Sequence, residues 1–257
     1  LLGNARFAAE LFEGMKGMDR VWQAAGTVDS VLRGDLLRKA ADAGLRSLFV
    51  GFETFNPENL RQSNKKQNLR RDYGSAVQRL HDHGVMINGS FVFGLDDDGP
   101  DVFARTVEWG VRNAITTSTY HVLTPYPGTR LFSDMEAQGR LVTRDWDRYD
   151  TRHVVYRPAK LSPDQLEAGY WWAYRHFYSW PNIVRASLRH DSAKHVLKHF
   201  AYTAGWKKFE PVWNLLIKTR HLNDMLPVLE AILAKVGIGE PNAATPDKVL
   251  RPVNPIA

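Results

Sequence analysis

Four short apolar segments, each followed by a helical pattern, constrain the fold of this chain more than any other feature. They begin near residues 20, 46, 85 and 116. Their spacing of ~26 to ~39 residues is typical of strand–helix units, which build parallel sheets. We therefore predict an α/β fold of parallel (β/α) repeats, forming part of a TIM-like barrel and followed by an α-helical subdomain.

The segment from Arg46 to Thr54 is the clearest of these strands. Its apolar run ends in Gly51-Phe-Glu53, so a carboxylate follows a buried strand directly. A buried carboxylate is costly unless it is paired, and ligands of parallel α/β folds sit at the C-terminal ends of strands. Glu53 is therefore the first candidate for ligand contact. The alternative, of equal weight, is a strand-end glutamate that caps the next helix or pairs with an arginine.

The composition excludes several kinds of chemistry. The chain of 257 residues contains no cysteine, so it supplies no disulfide, no thiol nucleophile and no thiolate ligand for a cluster or zinc ion. No apolar run approaches the ~20 residues of a membrane span, and the N-terminus has no signal-peptide layout. We expect a cytoplasmic protein and leave its oligomeric state open.

The predicted alternation of strands and helices ends after Gly139. We predict barrel repeats over residues 1–139, a helical domain over 140–236 and a mobile tail over 237–257. Ser162-Pro-Asp-Gln165 is a capping box that begins a long helix. Further helices are predicted near residues 182–189, 192–204, 211–219 and 222–236.

Three stretches at predicted strand ends, together with two others, carry a family resemblance: Gly51-Phe-Glu53, Gly89-Ser-Phe-Val-Phe-Gly-Leu95, Leu123-Thr-Pro-Tyr-Pro-Gly-Thr129, Asn59-Leu-Arg-Gln-Ser-Asn-Lys65 and Arg79-Leu-His-Asp-His-Gly84. In this order and spacing the chain resembles the C-terminal half of radical S-adenosylmethionine enzymes of the cobalamin-binding class. That class includes the anaerobic magnesium-protoporphyrin ester cyclase and the hopanoid-biosynthesis radical proteins. The resemblance covers roughly residues 1–200, and the region after residue 140 is similar to a C-terminal domain of unknown function in many members.

One departure from the family is large, because its CxxxCxxC motif and its cobalamin-binding module are both absent. The resemblance implies a half-barrel that cradles S-adenosylmethionine, in an enzyme that methylates, cyclises or rearranges an unreactive carbon. A 4Fe-4S cluster, and cobalamin as a further candidate, would belong to the full-length parent, and this chain alone would be inert. The alternative is a cluster-less paralogue that acts as a scaffold or interaction protein.

The resemblance also implies cofactor-binding positions at the strand ends, where methionine, ribose and adenine are held. Matched to this sequence they are Glu53, Gly51, Ser90, Gly94, Leu95, Thr124 and Pro125. Side-chain alternation along the strands adds candidates that would face the barrel lumen and the substrate, namely Gln23, Asn88, Thr119 and His121. The alternative for each lumen residue is an internal hydrogen-bonded position with no ligand. The catalytic residues are not identified.

Two polar stretches have simpler interpretations than metal sites, and we expect no metal ligands. Asp96-Asp-Asp-Gly lacks the alternating ligands of a calcium loop and is predicted to cap a helix. His81-Asp-His83 falls at a helix C-terminus, where the macrodipole favours a cation.

The expected partner is a small molecule, with lipophilic substrates included, and no nucleic acid. The basic, aromatic segment 185–221 leaves peripheral membrane contact open. A solvated basic face is favoured there, because Pro211 is expected to begin a new helix and break the register between Trp206 and Trp213. At least one of these two tryptophans should then be mostly buried.

Overall fold

A computed structural model describes residues 3–55, 59 and 72–219, with the backbone alone for residues 209–219. The chain divides into two compact units, one up to Lys207 and one from Lys208 onward. The predicted tail, the helix at 222–236 and most of the Asn59–Lys65 motif lie outside the described residues. The boundary at residue 139 stays a prediction.

Strands and helices alternate through the first part of the described chain, as the spacing predicted. The strands are β1 (Trp22–Thr27), β2 (Leu45–Glu53), β3 (Met86–Phe93) and β4 (Thr117–Val122). The helices are α1 (Ala5–Met15), α2 (Val28–Leu32), α3 (Leu36–Asp42), α4 (Tyr73–Asp82), α5 (Val102–Arg112), α6 (Arg130–Ala137), α7 (Pro163–Phe177), α8 (Trp180–Ser187) and α9 (Ala193–Thr219). A short 3-10 helix spans Trp146–Arg148.

The four strands form one parallel sheet in the order β1-β2-β3-β4. Each strand therefore lies beside the next one along the chain, as in a (β/α) barrel, whereas a doubly wound sheet reverses its order at a switch point. The prediction of parallel (β/α) repeats arranged as part of a barrel is confirmed.

One face of the sheet is packed and the other is open within the described part of the chain. On the packed face the strands bury their bulky apolar side chains among the helices, including Leu48, Val50, Phe52, Ile87, Phe91 and Phe93. Phe52 and Phe91 stack at 5.5 Å between ring centroids, and Trp109 of α5 meets Phe52 edge-on. The alternation predicted for β3 is therefore confirmed, with Asn88 and Val92 on the face away from this core.

The outer edge of β4 is closed by side chains from the later helices. The Tyr178 hydroxyl accepts from Ser118 N (3.0 Å) and donates to Ser118 O (3.1 Å). The Tyr174 hydroxyl accepts from Tyr120 N (3.2 Å), and Val122 N donates to Thr151 O (2.7 Å). Within the described residues, the outward N–H groups of Ser118, Tyr120 and Val122 are thus satisfied by groups that belong to no neighbouring strand.

The prediction that Pro211 begins a new helix is wrong, because α9 runs without a break from Ala193 to Thr219. A proline inside a helix removes one backbone hydrogen bond, and a helix can continue past it with a kink. Trp206 is 44% exposed, so it is not the mostly buried member of its pair. The side chain of Trp213 lies outside the described residues.

Candidate functional site

The register of the parallel sheet brings several predicted site residues into one row on the open face. Gly51 of β2 pairs with Ser90 of β3, and Ser90 pairs with Thr119 of β4. The Thr119 hydroxyl donates to Asn88 Oδ1 at 3.1 Å, so these two lumen candidates hold one another. This face therefore carries small, polar side chains toward the C-terminal ends of β2, β3 and β4, of which Ser90 is itself buried.

Glu53 ends β2 in an unusual backbone conformation. Its φ is +67°, and the pairing of β2 with β3 shifts register between Gly51 and Glu53. A non-glycine residue in this region is strained and persists only where its surroundings enforce it. A Cβ added to Gly51 would lie 3.1 Å from Glu53 Oε1. The carboxylate therefore leans back over the open face, and the absence of a side chain at Gly51 leaves room for it.

His121 is the ionisable neighbour of Glu53 on this face. Its Nδ1 lies 3.2 Å from Thr151 Oγ1, and its side chain is partly buried. Burial lowers the pKa of His121, and the negative charge of Glu53 opposes that shift. The two side chains thus share one electrostatic environment at the ends of β2 and β4, across the intervening strand β3.

The turn after β3 is stabilised by a buried aspartate that sequence reasoning did not select. Asp98 Oδ2 accepts from the N–H groups of Gly94 (2.9 Å) and Leu95 (3.0 Å). Asn59 Nδ2 donates to Asp98 Oδ1 at 2.7 Å, and the Tyr156 hydroxyl donates to Gly94 O. The turn at Gly94 and Leu95, a predicted adenine contact, is therefore fixed by hydrogen bonds from the side chains of Asp98 and Tyr156.

Burial raises the pKa of Asp98 to about 6, although its three hydrogen bonds lower it. The expectation that the loop from Asp96 to Asp98 caps a helix is wrong. The Asp98 carboxylate binds the preceding turn instead, and Asp101, the N-cap residue of α5, makes no side-chain hydrogen bond to the helix. The available signal was a run of aspartates directly after a strand-end glycine, because aspartate side chains often bind backbone N–H groups in turns.

Three other predicted positions are placed differently from the rest. Thr124 is buried, and its hydroxyl donates to Val122 O at 3.0 Å; Pro125, which follows it, is also buried. Gln23 is exposed on β1 and pairs with Ser47, six residues before Glu53. At ~3.3 Å per residue, Gln23 lies about 20 Å along the sheet from Glu53 and is not brought to the candidate site.

A cluster of four histidines lies at the opposite end of the strands. His190 Nε2 is 3.1 Å from His199 Nδ1, and the His81 and His190 rings are 4.9 Å apart. The cavity that they line with His195 has a volume of about 30 Å³, which suits a single water molecule. Among the residues that the structure describes, no group of three or more histidine and acidic side chains is arranged to hold a metal ion.

The chain matches no protein-family model. It is 34% identical over 161 residues to bacteriochlorophyllide d C-12(1)-methyltransferase of Chlorobaculum tepidum, covering 63% of this chain and 35% of that protein. It is 24% identical over 144 residues to the anaerobic magnesium-protoporphyrin IX monomethyl ester cyclase of Cereibacter sphaeroides, covering 56% and 23%. The chain thus spans about a third or less of these curated relatives.

Among solved structures, the chain is similar to the radical S-adenosylmethionine methyltransferase TsrM from Kitasatospora setae, with cobalamin and a 4Fe-4S cluster bound. The TM-score is 0.42 at 16% identity, over 52% of this chain and 25% of that one. The resemblance to radical S-adenosylmethionine enzymes of the cobalamin-binding class, predicted from the motifs, is confirmed by the sequence relatives.

Proposed function

We propose that this chain, a relative of the radical S-adenosylmethionine enzymes of the cobalamin-binding class, holds S-adenosylmethionine on the open face of its sheet. The observation that carries the proposal is the geometry of Glu53. Its carboxylate lies over Gly51 at the C-terminal end of a parallel strand, in a strained backbone conformation. Such strain is concentrated at ligand-binding positions.

The chain's own residues fit this cofactor in type and position. A carboxylate accepts two donors at once, which suits the ribose hydroxyls or the methionyl amine. Ser90 and Thr119 add hydroxyl groups in the same row. The fixed turns at Gly94-Leu95 and Thr124-Pro125 would bound the adenine. S-adenosylmethionine supplies a transferable methyl group, or a 5′-deoxyadenosyl radical when its sulfonium is reduced.

The reducing cluster does not fit this chain by itself, because its 257 residues include no cysteine. A 4Fe-4S cluster and cobalamin would be supplied by other parts of a longer parent protein, and the chain alone would be inert. The reaction proposed for the parent is the modification of an unreactive carbon, and methylation is favoured because the relative at 34% identity is a methyltransferase. The substrate proposed for the parent is a small, lipophilic molecule, of which the relatives' names give tetrapyrroles and a hopanoid as examples.

Replacing Glu53 with alanine tests the proposed cradle. We expect Glu53→Ala to weaken S-adenosylmethionine binding by about 1–3 kcal/mol, the usual size of a lost charge-assisted hydrogen bond, with little effect on folding. Isothermal titration with S-adenosylmethionine measures the affinity, and thermal unfolding measures stability. Glu167→Ala on α7, away from the open face, is the matched control.

An unchanged affinity together with a large fall in melting temperature would show that Glu53 is a structural ion-pair partner. That result would favour the alternative function, a cluster-less scaffold or interaction protein. A CxxxCxxC motif in frame upstream in the genomic sequence would support the enzyme.

We also propose peripheral membrane contact through the helical region, because α8 exposes an apolar stripe. Trp180, Val184 and Leu188 are each more than 40% exposed and follow one another at four-residue spacing. Within the described residues no helix is long and apolar enough to cross a bilayer. A stripe of this kind, beside lysine and arginine side chains, fits the headgroup region of an anionic bilayer.

A further inference from the structure

The first half of α9, residues 193–207, is attached to the rest of the chain mainly by polar side chains. Of these residues, all of which the structure describes, only His199 and Thr203 are buried. The Thr203 hydroxyl donates to Thr116 O, just before β4, at 2.8 Å. A helix is usually anchored by a stripe of buried apolar side chains. Because this half of α9 has no fully buried apolar side chain, its attachment depends on the state of its polar groups.

His199 meets His190, which lies between α8 and α9, through a hydrogen bond that needs at least one neutral ring. His190 Nε2 is 3.1 Å from His199 Nδ1, so one of these nitrogens donates and the other accepts. One added proton leaves this bond possible, whereas two would set two N–H groups against each other. Within the described part of the chain, His199 Nε2 is buried without a partner and lies at the water-sized cavity. The contact is therefore sensitive to protonation.

His81 of α4 packs against the same pair. Its Nε2 donates to Asn113 O at 3.1 Å, since a carbonyl oxygen can only accept. Its ring lies 4.9 Å from that of His190, and the His190 and His199 rings are 5.0 Å apart. His190 thus stands between two other imidazoles, and a charge on any one of the three acts on its neighbours.

The charged groups around these three histidines are mostly cations. Among the described residues, the nearby acids are Asp82 on α4 and Asp191 beside His190, and both are exposed to solvent. The basic groups are more numerous, with Arg46 and Lys194 beside Lys198 and the others around the cavity and the adjoining cleft: Arg46, Arg112, Arg189, Lys194, His195 and Lys198. The Lys198 ammonium also donates to Gly84 O at 3.2 Å, so it is held close to the cluster. A second positive charge on the His190–His199 pair would meet more repulsion than attraction here.

The pKa values of the pair give the direction of the pH effect. Burial and the neighbouring imidazoles lower the pKa of His190 to about 4 and that of His199 to about 3, from an ordinary value of 6.5, while Asp191 opposes the shift at His190. When α9 is released, both rings enter water and regain ordinary pKa values. The released form then binds protons that the docked form does not. Docking is therefore at full strength above about pH 6.5 and weakens as the pH falls toward 4.

We propose that His81, His190 and His199 form a pH-sensitive switch that holds the first half of α9 in place at neutral pH and releases it in acid. Release would uncover Met86 and Thr116, which line the cavity at the N-terminal ends of β3 and β4. This is the end opposite the candidate cofactor site. The switch is independent of the proposed function, because none of its residues belongs to that site.

Hydrogen exchange followed by mass spectrometry on the whole chain measures the release, once the pH dependence of the intrinsic exchange rate is removed. We expect the opening equilibrium of residues 193–207 to rise by at least about 30-fold between pH 7.5 and pH 5, the effect of one proton bound at an ordinary histidine pKa of 6.5. Residues 86–93 of β3 should keep their protection. Equal protection of α9 at the two pH values would overturn the proposal.

Replacing both His190 and His199 with glutamine removes the titrating groups and keeps side chains that form hydrogen bonds. In this double variant the extra opening of α9 at pH 5 should be lost. His176→Gln on α7 is the matched control, because it removes an exposed imidazole outside the cluster and should keep the wild-type response.

An NMR titration of the histidine rings in the wild-type chain keeps the test decisive if the double variant fails to dock α9 at any pH. While α9 remains protected, the rings of His190 and His199 should stay neutral down to about pH 5. Titration of both rings near their ordinary pKa of 6.5 with α9 still protected would overturn the proposal.

Discussion

Two residues with left-handed backbone conformations flank the candidate site. Glu53 ends β2 at φ +67°, and Thr151 supports His121 at φ +64°. Each such conformation costs on the order of 1–3 kcal/mol and must be enforced by neighbouring contacts. The sequence identified Glu53 by its charge and its place after an apolar run, but gave no sign of its backbone conformation. The contact of Thr151 with His121 could not be predicted from the sequence, because it forms only when Thr151 is held against β4.

The turn after β3 yields a prediction about pH. Because burial raises the pKa of Asp98 to about 6, the folded chain binds a proton there that the unfolded chain, with a pKa of 3.8, releases. This contribution to stability is fully present below about pH 4 and is lost as pH rises through 6. At ~1.4 kcal/mol per pKa unit, this contribution amounts to up to about 3 kcal/mol. We therefore expect the free energy of unfolding of wild type, measured relative to Asp98→Asn, to fall by up to about 3 kcal/mol between pH 4 and pH 7.

Urea unfolding of wild type and Asp98→Asn at both pH values measures this difference. Asp101→Asn is the matched control, since Asp101 lies in the same loop, is exposed and pairs with Arg105. Its unfolding free energy should follow that of wild type at both pH values. A constant difference between Asp98→Asn and wild type would mean that Asp98 is already ionised in the folded chain at pH 4.

At the scale of elements, the outer edge of β4 depends on α7. The sequence predicted the capping box at Ser162 that begins this helix, and the structure confirms it. The sequence did not predict that the hydroxyl groups of Tyr174 and Tyr178 bind the backbone of β4. Tyr178 is 60 residues from Ser118, and its hydroxyl both donates to and accepts from that residue. The helical region therefore completes the sheet in place of another strand.

Removing the Tyr178 hydroxyl tests this role. Tyr178→Phe keeps the ring but leaves a buried N–H and a buried carbonyl of Ser118 without that partner, so we expect a loss of about 1–3 kcal/mol in the free energy of unfolding. Urea denaturation measures it. Tyr126→Phe, at a tyrosine that is 46% exposed, should cost far less. Equal effects in the two variants would mean that the hydroxyl contacts at the β4 edge do not stabilise the fold.

At the scale of the whole molecule, the exposed stripe on α8 gives the membrane proposal a direct test. The Lys207 ammonium lies 5.5 Å from the centroid of the Trp180 ring, so an apolar and a cationic group are adjacent. We expect the chain to co-sediment with anionic vesicles at low salt and to be released at high salt, because screening weakens the attraction of cations to the surface. Trp180→Ala should reduce binding.

Trp146→Ala is the comparison variant, since Trp146 is similarly exposed but lies in the 3-10 helix before α7, outside the stripe on α8. It should bind vesicles as wild type does. Binding that is insensitive to salt, or equal for Trp180→Ala and wild type, would restore the interpretation of residues 185–221 as a solvated basic face.

The sequence by itself determined the alternation of strands and helices, the two faces of β3 and the capping box at Ser162, because each is a pattern within a continuous stretch of chain. It also identified Glu53 as a strand-end candidate and His121 as a candidate facing the barrel lumen. The tertiary structure decided how those residues are used. Gly94 is held by Asp98 and Tyr156, His121 by Thr151, and β4 by Tyr174 and Tyr178. All but the first of these partners lie 30 or more residues away along the chain, so no local pattern encodes them. Such contacts exist only once the sheet has brought distant segments together.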